Sequence, residues 1–305
     1  MAKQLLLEVI IVNFNTASLL KKCLDSLILR IKNEGLFWST LITVVDNGSK
    51  DNSLDLLKKH YPRVNLIVNK GNPGFASANN QAIRKSGAEF IFLLNSDTQI
   101  GNNVLSSLLK EMNSRLELGV CGPKLINPDG SLQQSIGFSP NLSRIFYWML
   151  FIDDLPYLSR LIKPFHARNP YWYGQKRFVD WLSGAALLFR ASLCQSVGFL
   201  DDNIFMYGEE VEWCYRIRKA NFQVCFLPQI EVVHLKGGSQ VNKGSAIIEE
   251  YRSLVYFYQK HFPHKIFLLK LLLKVGALLR LILFGIISRQ TPKLKLYAQA
   301  FKMAG

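Results

Sequence analysis

The stretch GNPGFASANNQAIRKSGAEFIFLLNSDTQ, residues 71–99, decides the fold of this chain. It begins with Gly, Asn, Pro and Gly, which are strong turn residues. Residues 75–85 predict a helix that Gly87 ends, and residues 89–94 predict a buried strand, because this apolar run is too short for a globular helix. Asp97 follows that strand, at the edge where open α/β sheets bind ligands. A glycine loop, a helix start and a strand-end carboxylate together favour a phosphate-bearing ligand held with a hard cation.

Alternating strands and helices are also predicted upstream of this stretch. Apolar runs predict three strands, at residues 5–12, 41–45 and 64–68. Apolar residues at helical spacing predict helices after the first two of them. This alternation indicates an α/β fold with a mostly parallel sheet and helices on both faces. Polar residues follow the strands and should meet at one edge of the sheet, where we expect the site: Asn13, Asp46, Asn69 and Asp97.

The pattern after residue 99 is less regular. A helix is predicted at residues 103–114, and a turn-rich region follows it. Residues 142–177 are dense in aromatic side chains and are interpreted as a mobile flap over the site or as a membrane-facing loop. The remaining predicted elements are a buried strand at 179–189 interrupted by Ser183 and Gly184, a helix at 209–220, and short strands at 222–227 and 231–233.

Charge and cysteine content limit the class of partner. Lys and Arg outnumber Asp and Glu by 37 to 22 among 305 residues, which points to a nucleic acid, an anionic lipid or a phosphorylated substrate. Nucleic-acid binding is not expected, because no basic patch with interleaved aromatic residues lies within the predicted folded domain. Five scattered Cys residues without CxxC spacing argue against a disulfide framework or a zinc site and favour a reducing cytosol.

The C-terminal segment changes character. Residues 245–261 predict an amphipathic helix, and residues 265–289 are rich in Leu and Ile but carry regularly placed basic residues. The longest uncharged run there is far shorter than the ~20 apolar residues that a membrane span needs. On a helical wheel four basic side chains fall within half the circumference: Lys265, Lys270, Lys274 and Arg280. This pattern favours an in-plane membrane helix, and the alternative is a core helix that packs on the preceding domain.

Two strand-end aspartates could carry chemistry. Asp97 could supply the carboxylate oxygen that a hard cation bridging two phosphates needs, or it could be a solvated loop residue that caps the next helix. Asp46 could contact a nucleoside, or it could form the tight turn with Asn47, Gly48 and Ser49.

Three glutamates begin the helix predicted at residues 209–220. Glu209, Glu210 and Glu212 lie where the helix dipole stabilises acidic side chains, so their placement has a structural explanation. A functional interpretation requires one of them to face the cleft as a general base. His234 follows the last predicted strand and could be a ligand or a structural residue. Trp181 could form the floor of a sugar site or belong to the core.

Several segments, taken in order, resemble one family. They include VIIVNFN at 9–15, VVDNGSKDNS at 44–53, NKGNPGFASANNQAI at 69–83, FLLNSD at 92–97 and VCGPKLINPDGSLQQS at 120–135. WLSGAALLFR at 181–190, the run from 198 to 228 and VVHLKGGS at 232–239 continue the match. The set is similar to the family-2 nucleotide-sugar glycosyltransferases of the Rossmann-like GT-A fold, and most of all to the bacterial rhamnosyltransferases.

The resemblance implies a role for each site residue. The nucleotide sugar would be bound by Asn13, Asn15, Asp46, Asn72, Gly74, Phe75, Asn79, Asn95 and Ser96. A divalent cation, Mg²⁺ or Mn²⁺, would be bound by Asp97 and His234. The acceptor and sugar pocket would contain Trp181, Gly184, Ala185 and Glu209. The family's metal motif has two carboxylates, and this chain keeps only the last one.

The resemblance places Glu210 as the catalytic base, where the family has Asp. The extra methylene moves the carboxylate by ~1.5 Å, and a displacement of this size can lower a rate by ~100-fold. Either the helix is set back to compensate or the enzyme is slow. A catalytically weak nucleotide-sugar-binding scaffold is therefore an alternative to the enzyme.

These implications define the function that we expect. It is inverting, metal-dependent transfer of a sugar. The first expected donor is dTDP-L-rhamnose, which supplies L-rhamnose, and a UDP-hexose or UDP-galactofuranose is the alternative donor. The expected acceptor is a lipid-linked saccharide in O-antigen or other cell-surface polysaccharide synthesis. We expect a catalytic domain at residues 1–240 and a membrane-associating helical segment at 241–305. The protein would then be peripheral, at the cytoplasmic face of the plasma membrane and bound to its anionic surface.

Overall fold

Strands and helices alternate in the N-terminal part of the computed structural model, which describes residues 5–235, 243–287 and 291–304. The strands of the described residues are β1 Leu7–Asn13, β2 Thr40–Asp46, β3 Asn65–Val68, β4 Phe90–Asn95, β5 Thr98–Ile100, β6 Leu118–Ile126, β7 Leu132–Gln133, β8 Ile136–Gly137, β9 Arg177–Val179, β10 Trp181–Leu182, β11 Ala186–Arg190 and β12 Gln223–His234. The α-helices are α1 Ala17–Asn33, α2 Ser53–His60, α3 Phe75–Ile83, α4 Val104–Ser114, α5 Leu142–Met149, α6 Leu158–Leu161, α7 Leu193–Val197, α8 Glu209–Lys219, α9 Lys243–His261, α10 Ile266–Leu281 and α11 Thr291–Met303.

The main sheet has the strand order β3-β2-β1-β4-β11-β6-β12-β5. Strands β1 to β4 pair in parallel, as do β6 and β12, so the predicted α/β class with a mostly parallel sheet is confirmed. Strand β11 runs antiparallel between β4 and β6. Strand β5 also pairs antiparallel with β12 at the opposite end of the sheet.

Side chains of β1 point alternately to two apolar layers. Leu7, Val9 and Ile11 lie in one core with α1, α2 and α4, whereas Ile10 lies in the other with α3, α5 and α8. This alternation is the period-2 pattern of a strand, and both faces are apolar because helices cover both sides of the sheet.

The polar strand ends meet at one edge of the sheet, as the sequence predicts. Asn13 at the end of β1 lies opposite Asp46 at the end of β2. The backbone N–H of Asn69 donates to the carbonyl oxygen of Asp46 at 2.8 Å. Pairing of β5 with β12 places Thr98 opposite His234, and therefore brings His234 to the same edge as Asp97.

The interpretation of residues 142–177 as a flap or a membrane-facing loop is wrong for several of its aromatic residues. Trp148, Trp172 and Tyr173 are buried in the same core as α3 and α8. The indole Nε1 of Trp172 donates to the carbonyl oxygen of Ser159, and the hydroxyl of Tyr173 donates to the carbonyl oxygen of Ala167, both at 2.8 Å. The segment is a helical layer packed on the sheet.

Two strand predictions differ from the structure. Residues 179–189 form three separate strands, β9, β10 and β11, rather than one interrupted strand. Residues 222–233 contain one continuous strand, β12, rather than two. It shifts register between Leu227 and Glu231, which explains why the sequence pattern breaks there.

The C-terminal helices α9, α10 and α11 belong to the same core as the sheet. Leu269, Leu273 and Ala277 of α10 are fully buried, and Gly276 lies close to Met149 of α5. Among the described residues, no helix has both the length and the apolarity needed to cross a bilayer. One face of α10 therefore packs as the core-helix alternative expects. The division into units 1–240 and 241–305 stays a prediction.

The helical wheel grouped Arg280 with three lysines, and the structure shows that this grouping is wrong for Arg280. Its side chain is only 5% exposed, and its guanidinium donates to the carbonyl oxygens of Trp148 and Met149, both at 2.9 Å. It also lies 4.2 Å from the ring centroid of Phe151. Arg280 therefore joins α10 to α5 and does not group with the three lysines as a membrane-facing basic residue.

We predict that Arg280→Ala destabilises the chain by about 2 kcal/mol, because it leaves buried carbonyl groups without a charged donor. Thermal or urea unfolding of the full chain measures this loss. Lys58→Ala, at an exposed position on α2, is the control and should change stability by less than about 0.5 kcal/mol, the usual size for a surface substitution. Equal stability of the two variants would contradict the docking of α10 through Arg280.

Candidate active site

A network of polar side chains joins the ends of β1 and β2. The amide nitrogen of Asn13 donates to Asp46 Oδ2 at 2.7 Å and to Ser49 Oγ at 3.1 Å. Asp46 Oδ1 accepts from the backbone N–H of Ser49 at 2.8 Å. Asn15 has a positive φ of 55°, and its Oδ1 accepts from the N–H of Lys50 at 2.7 Å. Three of the predicted nucleoside-binding residues are thus brought together and held in place by this turn.

The glycine loop contacts the loop that precedes α8. Asn72 Oδ1 accepts from the N–H of Gly74 at 3.0 Å, and Gly74 has a φ of 92°. The N–H of Phe75 donates to the carbonyl oxygen of Phe205 at 3.0 Å. A Cβ at position 74 would lie 2.5 Å from that same oxygen, so only glycine allows this approach without strain.

Asn79, Asn95 and Ser96 complete the predicted donor side. Asn79 is buried and donates to the carbonyl oxygen of Phe75 at 2.9 Å, while its Oδ1 has no hydrogen-bond partner among the described residues. Ser96 Oγ lies 3.0 Å from Thr16 Oγ1. Asn95 Nδ2 lies 3.5 Å from His234 Nε2, so the residue that replaces the family's first carboxylate still faces the histidine.

Asp97 and His234 lie next to each other at the sheet edge. His234 Nε2 is 3.0 Å from Asp97 Oδ1, and both side chains are nearly buried. His234 Nδ1 is 2.7 Å from Gln133 Oε1. Gln133 Nε2 donates to Asn127 Oδ1 and to the carbonyl oxygen of His234, which fixes the amide orientation and makes Oε1 the acceptor. His234 Nδ1 therefore carries a hydrogen, and Nε2 is the atom directed at the carboxylate.

This pair suits a divalent cation. A carboxylate oxygen and a neutral imidazole nitrogen are both groups that bind such a cation, and Asp97 and His234 would hold it together. No third His, Cys, Asp or Glu joins them to form a metal cluster in the described part of the chain. Phosphate oxygens and water would have to supply the other ligands, as is usual for Mg²⁺. Gln133, which orients the histidine, was not singled out from the sequence, and the glycine pair after His234 lies outside the described residues.

The two glutamates at the start of α8 have different surroundings. Glu209 is 5% exposed, and its Oε2 has no hydrogen-bond partner among the described residues. Glu210 is less buried, and its Oε2 accepts from the N–H of Gly208 at 3.1 Å. Burial raises the pKa of both carboxyls, and for Glu209 the charge of Glu210 raises it further. A raised pKa is what a carboxylate base working near neutral pH requires.

Glu210 lines a cavity of about 290 Å³, whereas Glu209 does not. Trp181 forms part of the wall, and its Nε1 donates to the carbonyl oxygen of Phe165 at 3.1 Å. The other polar residues of the lining were missed by the sequence analysis: Gln134, His166, Ser183, Tyr207, Glu250 and Ser253. Gln134 lies within a quoted motif, but no local pattern marks His166 or Glu250.

The cavity lies close to the donor side. A Cβ on Gly184 would be 3.2 Å from the ring of Phe75, and the carbonyl oxygen of Ala185 accepts from the N–H of Asn95 at 2.9 Å. Burial raises the pKa of the Tyr207 hydroxyl, and the charges of Glu209, Glu210 and Asp97 raise it further. Tyr207 is therefore within electrostatic reach of both the candidate base and the candidate cation ligand.

A family model for glycosyl transferase family 2 matches residues 8–182. The chain belongs to this family. The match covers β1 to β10, including the glycine loop and Asp97, but ends before Glu210 and His234. The chain is therefore a glycosyltransferase, and the family resemblance seen in the sequence is confirmed.

Two curated relatives are rhamnosyltransferases. The N-acetylglucosaminyl-diphospho-decaprenol L-rhamnosyltransferase of Mycobacterium tuberculosis is 28% identical over 236 residues, which cover 71% of this chain and 73% of that protein. The dTDP-rhamnosyl transferase RfbF of Shigella flexneri is 27% identical over 227 residues, which cover 72% of this chain and 67% of that protein.

A solved structure supports the GT-A type of fold. The mannosyltransferase PcManGT of Pyrobaculum calidifontis, in complex with GDP-Man and Mn²⁺, superposes with a TM-score of 0.60 at 13% identity. The superposition covers 98% of this chain and 85% of that one, so the C-terminal helices are included. At this identity the likeness concerns the fold alone.

Proposed function

We propose that this glycosyltransferase transfers a sugar from a nucleoside diphosphate to an acceptor hydroxyl with inversion at the anomeric carbon. The observation that carries the proposal is the position of Glu210 in the cavity beside the donor side. The carboxylate would accept the proton of the acceptor hydroxyl as that oxygen attacks the anomeric carbon from the face opposite the diphosphate. One displacement of this kind inverts the configuration and needs no covalent intermediate.

Asp97 and His234 would bind a divalent cation, Mg²⁺ or Mn²⁺, together with the donor diphosphate. When bound, such a cation neutralises the charge that develops on the leaving group. Gln133 keeps the imidazole in the tautomer that leaves Nε2 available. The donor side of the site would hold the nucleotide through the glycine loop and the turn around Asp46.

The proposed donor is dTDP-L-rhamnose, which the names of the two rhamnosyltransferase relatives support. A UDP-hexose or UDP-galactofuranose is the alternative donor. The proposed acceptor is a saccharide linked to a polyprenyl diphosphate, in O-antigen or another cell-surface polysaccharide, because the mycobacterial relative is named for a decaprenol-linked acceptor.

A nucleotide-sugar-binding scaffold without turnover is a second candidate. Asn95 in place of a carboxylate and Glu210 in place of Asp favour it. The two candidates differ in one measurement, because a scaffold binds the donor without releasing a glycosylated product.

The cation assignment predicts that transfer requires Mg²⁺ or Mn²⁺ and that Asp97→Ala abolishes it, since one of the two protein ligands is lost. The assay measures product and nucleoside diphosphate release from a panel of dTDP- and UDP-sugars, with and without EDTA. Asp55→Ala, which alters an exposed aspartate on α2, is the control and should keep full activity. Full activity of the parent in excess EDTA would contradict the cation assignment.

The base assignment predicts that Glu210→Gln lowers the transfer rate by ~100-fold or more while nucleotide affinity is kept. Glu210→Asp should retain measurable activity, because a carboxylate remains. Since burial raises the pKa of Glu210, the base form is lost on acidification already above the ordinary Glu value of about 4.3, and the rate should fall there.

Glu209→Gln is the matched control for the base, because Glu209 does not line the cavity. The pH dependence of the rate distinguishes the two positions. The fall of the transfer rate at low pH should disappear only when residue 210 is changed. A dead Glu209→Gln variant beside an active Glu210→Gln variant would show that the wrong member of the pair was chosen.

We further propose that the outer face of α10 binds the anionic cytoplasmic surface of the plasma membrane, which makes the protein peripheral. This face exposes a contiguous set of large apolar side chains: Phe267, Leu268, Leu271, Val275, Leu278 and Leu279. On the helical wheel Lys265 borders the set on one side and Lys274 on the other. Apolar contact with the acyl boundary and attraction of lysines to anionic headgroups are the two contributions that hold an in-plane helix.

This proposal predicts that the full chain binds vesicles containing phosphatidylglycerol more tightly than vesicles of phosphatidylcholine, in a flotation or sedimentation assay. Phe267→Ser with Leu271→Ser should lower binding by about tenfold or more, because exposed apolar area is lost without removing buried contacts. Lys58→Glu with Lys59→Glu, on α2, is the control and should bind as the parent does. Equal binding of all three proteins, or no binding by the parent, would contradict the proposal.

A further inference from the structure

Helix α9 forms one wall of the cavity that contains Glu210, although it lies outside the segment that the family model matches. Its residues Ile247, Glu250, Ser253 and Leu254 line the cavity. The approach of α9 to the start of α8 is close, because a Cβ on Gly208 would lie 2.8 Å from Cβ of Ser253. Gly208 also has a φ of 108°, so glycine is required there on two grounds.

A pair of titratable side chains crosses this cavity wall. His166 Nε2 lies 2.6 Å from Glu250 Oε1, which is an ion-pair distance without hydrogen-bond geometry, and each side chain keeps about a quarter of its surface exposed: 23% for His166 and 24% for Glu250. The imidazole also contacts Trp181, with ring centroids 5.5 Å apart. The pair therefore links α9 to the loop before β9 and presents polar atoms to the cavity beside the aromatic wall.

The chemistry of the lining selects a class of ligand. Two carboxylates, an amide, an imidazole and three hydroxyls can accept or donate hydrogen bonds, and the indole of Trp181 offers an apolar surface. Among the described residues that line the cavity there is no Lys or Arg, so the lining has no fixed cation for a phosphate. A neutral, hydroxyl-rich ring fits this combination, whereas a diphosphate does not.

We propose that His166 and Glu250 position the neutral sugar unit of the acceptor beside Glu210, so that α9 determines which acceptor is used. This inference rests on the proposed function, since it assumes that Glu210 faces the acceptor. Glu250 accepts a hydrogen bond from a sugar hydroxyl, and His166, in close contact with the carboxylate, keeps it at the cavity wall beside Trp181. The two are positioning residues, because proton transfer belongs to Glu210.

The test uses the full chain, the nucleotide sugar that the parent turns over, and octyl β-N-acetylglucosaminide as the acceptor probe. Glu250→Gln should raise the KM for this probe by about tenfold, the size of one charge-assisted hydrogen bond, with a smaller change in kcat. Glu250→Asp should recover part of the loss. The Kd of the nucleoside diphosphate and the thermal midpoint should stay those of the parent.

Glu249→Gln is the matched control, because Glu249 is the neighbouring residue on α9, forms an ion pair with Arg252 and does not line the cavity. It should leave the KM for the probe unchanged. Ligand-observed NMR of the probe, in the presence of saturating nucleoside diphosphate, measures binding without turnover and should show the same weakening in Glu250→Gln and in His166→Gln.

Three results would overturn the inference: a parent-like KM in Glu250→Gln, no binding of the probe by the parent, or a loss in Glu250→Gln that affects nucleotide affinity and thermal midpoint equally. The last result would mean that the pair only holds α9 in place. Failure of the proposed function is distinguishable, because then the parent itself releases no product from any nucleotide sugar.

Discussion

The buried carboxylate of Glu212 is the interaction on which the arrangement of the site depends. It is fully buried, and its oxygens contact Arg216 at 2.7 Å, Lys260 at 2.8 Å and His261 at 2.9 Å. Burial alone would raise the pKa of Glu212, but these partners outweigh it and hold the pKa below its usual range. A charge in this position requires its partners, because removal of one of them leaves an uncompensated buried ion.

This cluster fixes the relative position of two helices that lie far apart in the chain. Glu212 and Arg216 belong to α8, which carries Glu210 in its first turn, and Lys260 and His261 end α9, which carries Glu250. Lys260 also contacts Asp201 at 2.5 Å, so the loop before α8 is included. The cavity between the two helices is therefore shaped in part by an ionic contact among residues that do not line it.

Local signals were sufficient to predict the first half of the fold. Strands β1 to β4 are uninterrupted apolar runs that end in polar turns, so their type, direction and common edge follow from period and turn chemistry. Residues 142–177 could not be predicted, because their short helices are stabilised by buried aromatic side chains whose partners are distant in sequence. The antiparallel direction of β11 likewise depends on its neighbours in the sheet, and an apolar run carries no information about direction.

The candidate site likewise contains some residues that the sequence predicts and others that it does not. Asp97 and Glu210 stand at predictable ends of a strand and a helix, and the family resemblance indicated what they do. Gln133 contacts His234, and Glu250 contacts His166. The members of each pair are distant in sequence and are brought close by β12 and by α9. A single sequence contains no periodicity that marks such pairs, so they become visible only when the chain is folded.

The contact between the glycine loop and Phe205 has a mechanical consequence. The N–H of Phe75 and the carbonyl oxygen of Phe205 are joined directly, and the space at Gly74 is too small for a methyl group. The two loops therefore cannot slide past each other. If one loop moves further than a hydrogen bond can stretch, the other must move with it. The glycine loop belongs to the candidate donor side, and the Phe205 loop leads into α8 and the cavity, so the two parts of the candidate site share one boundary.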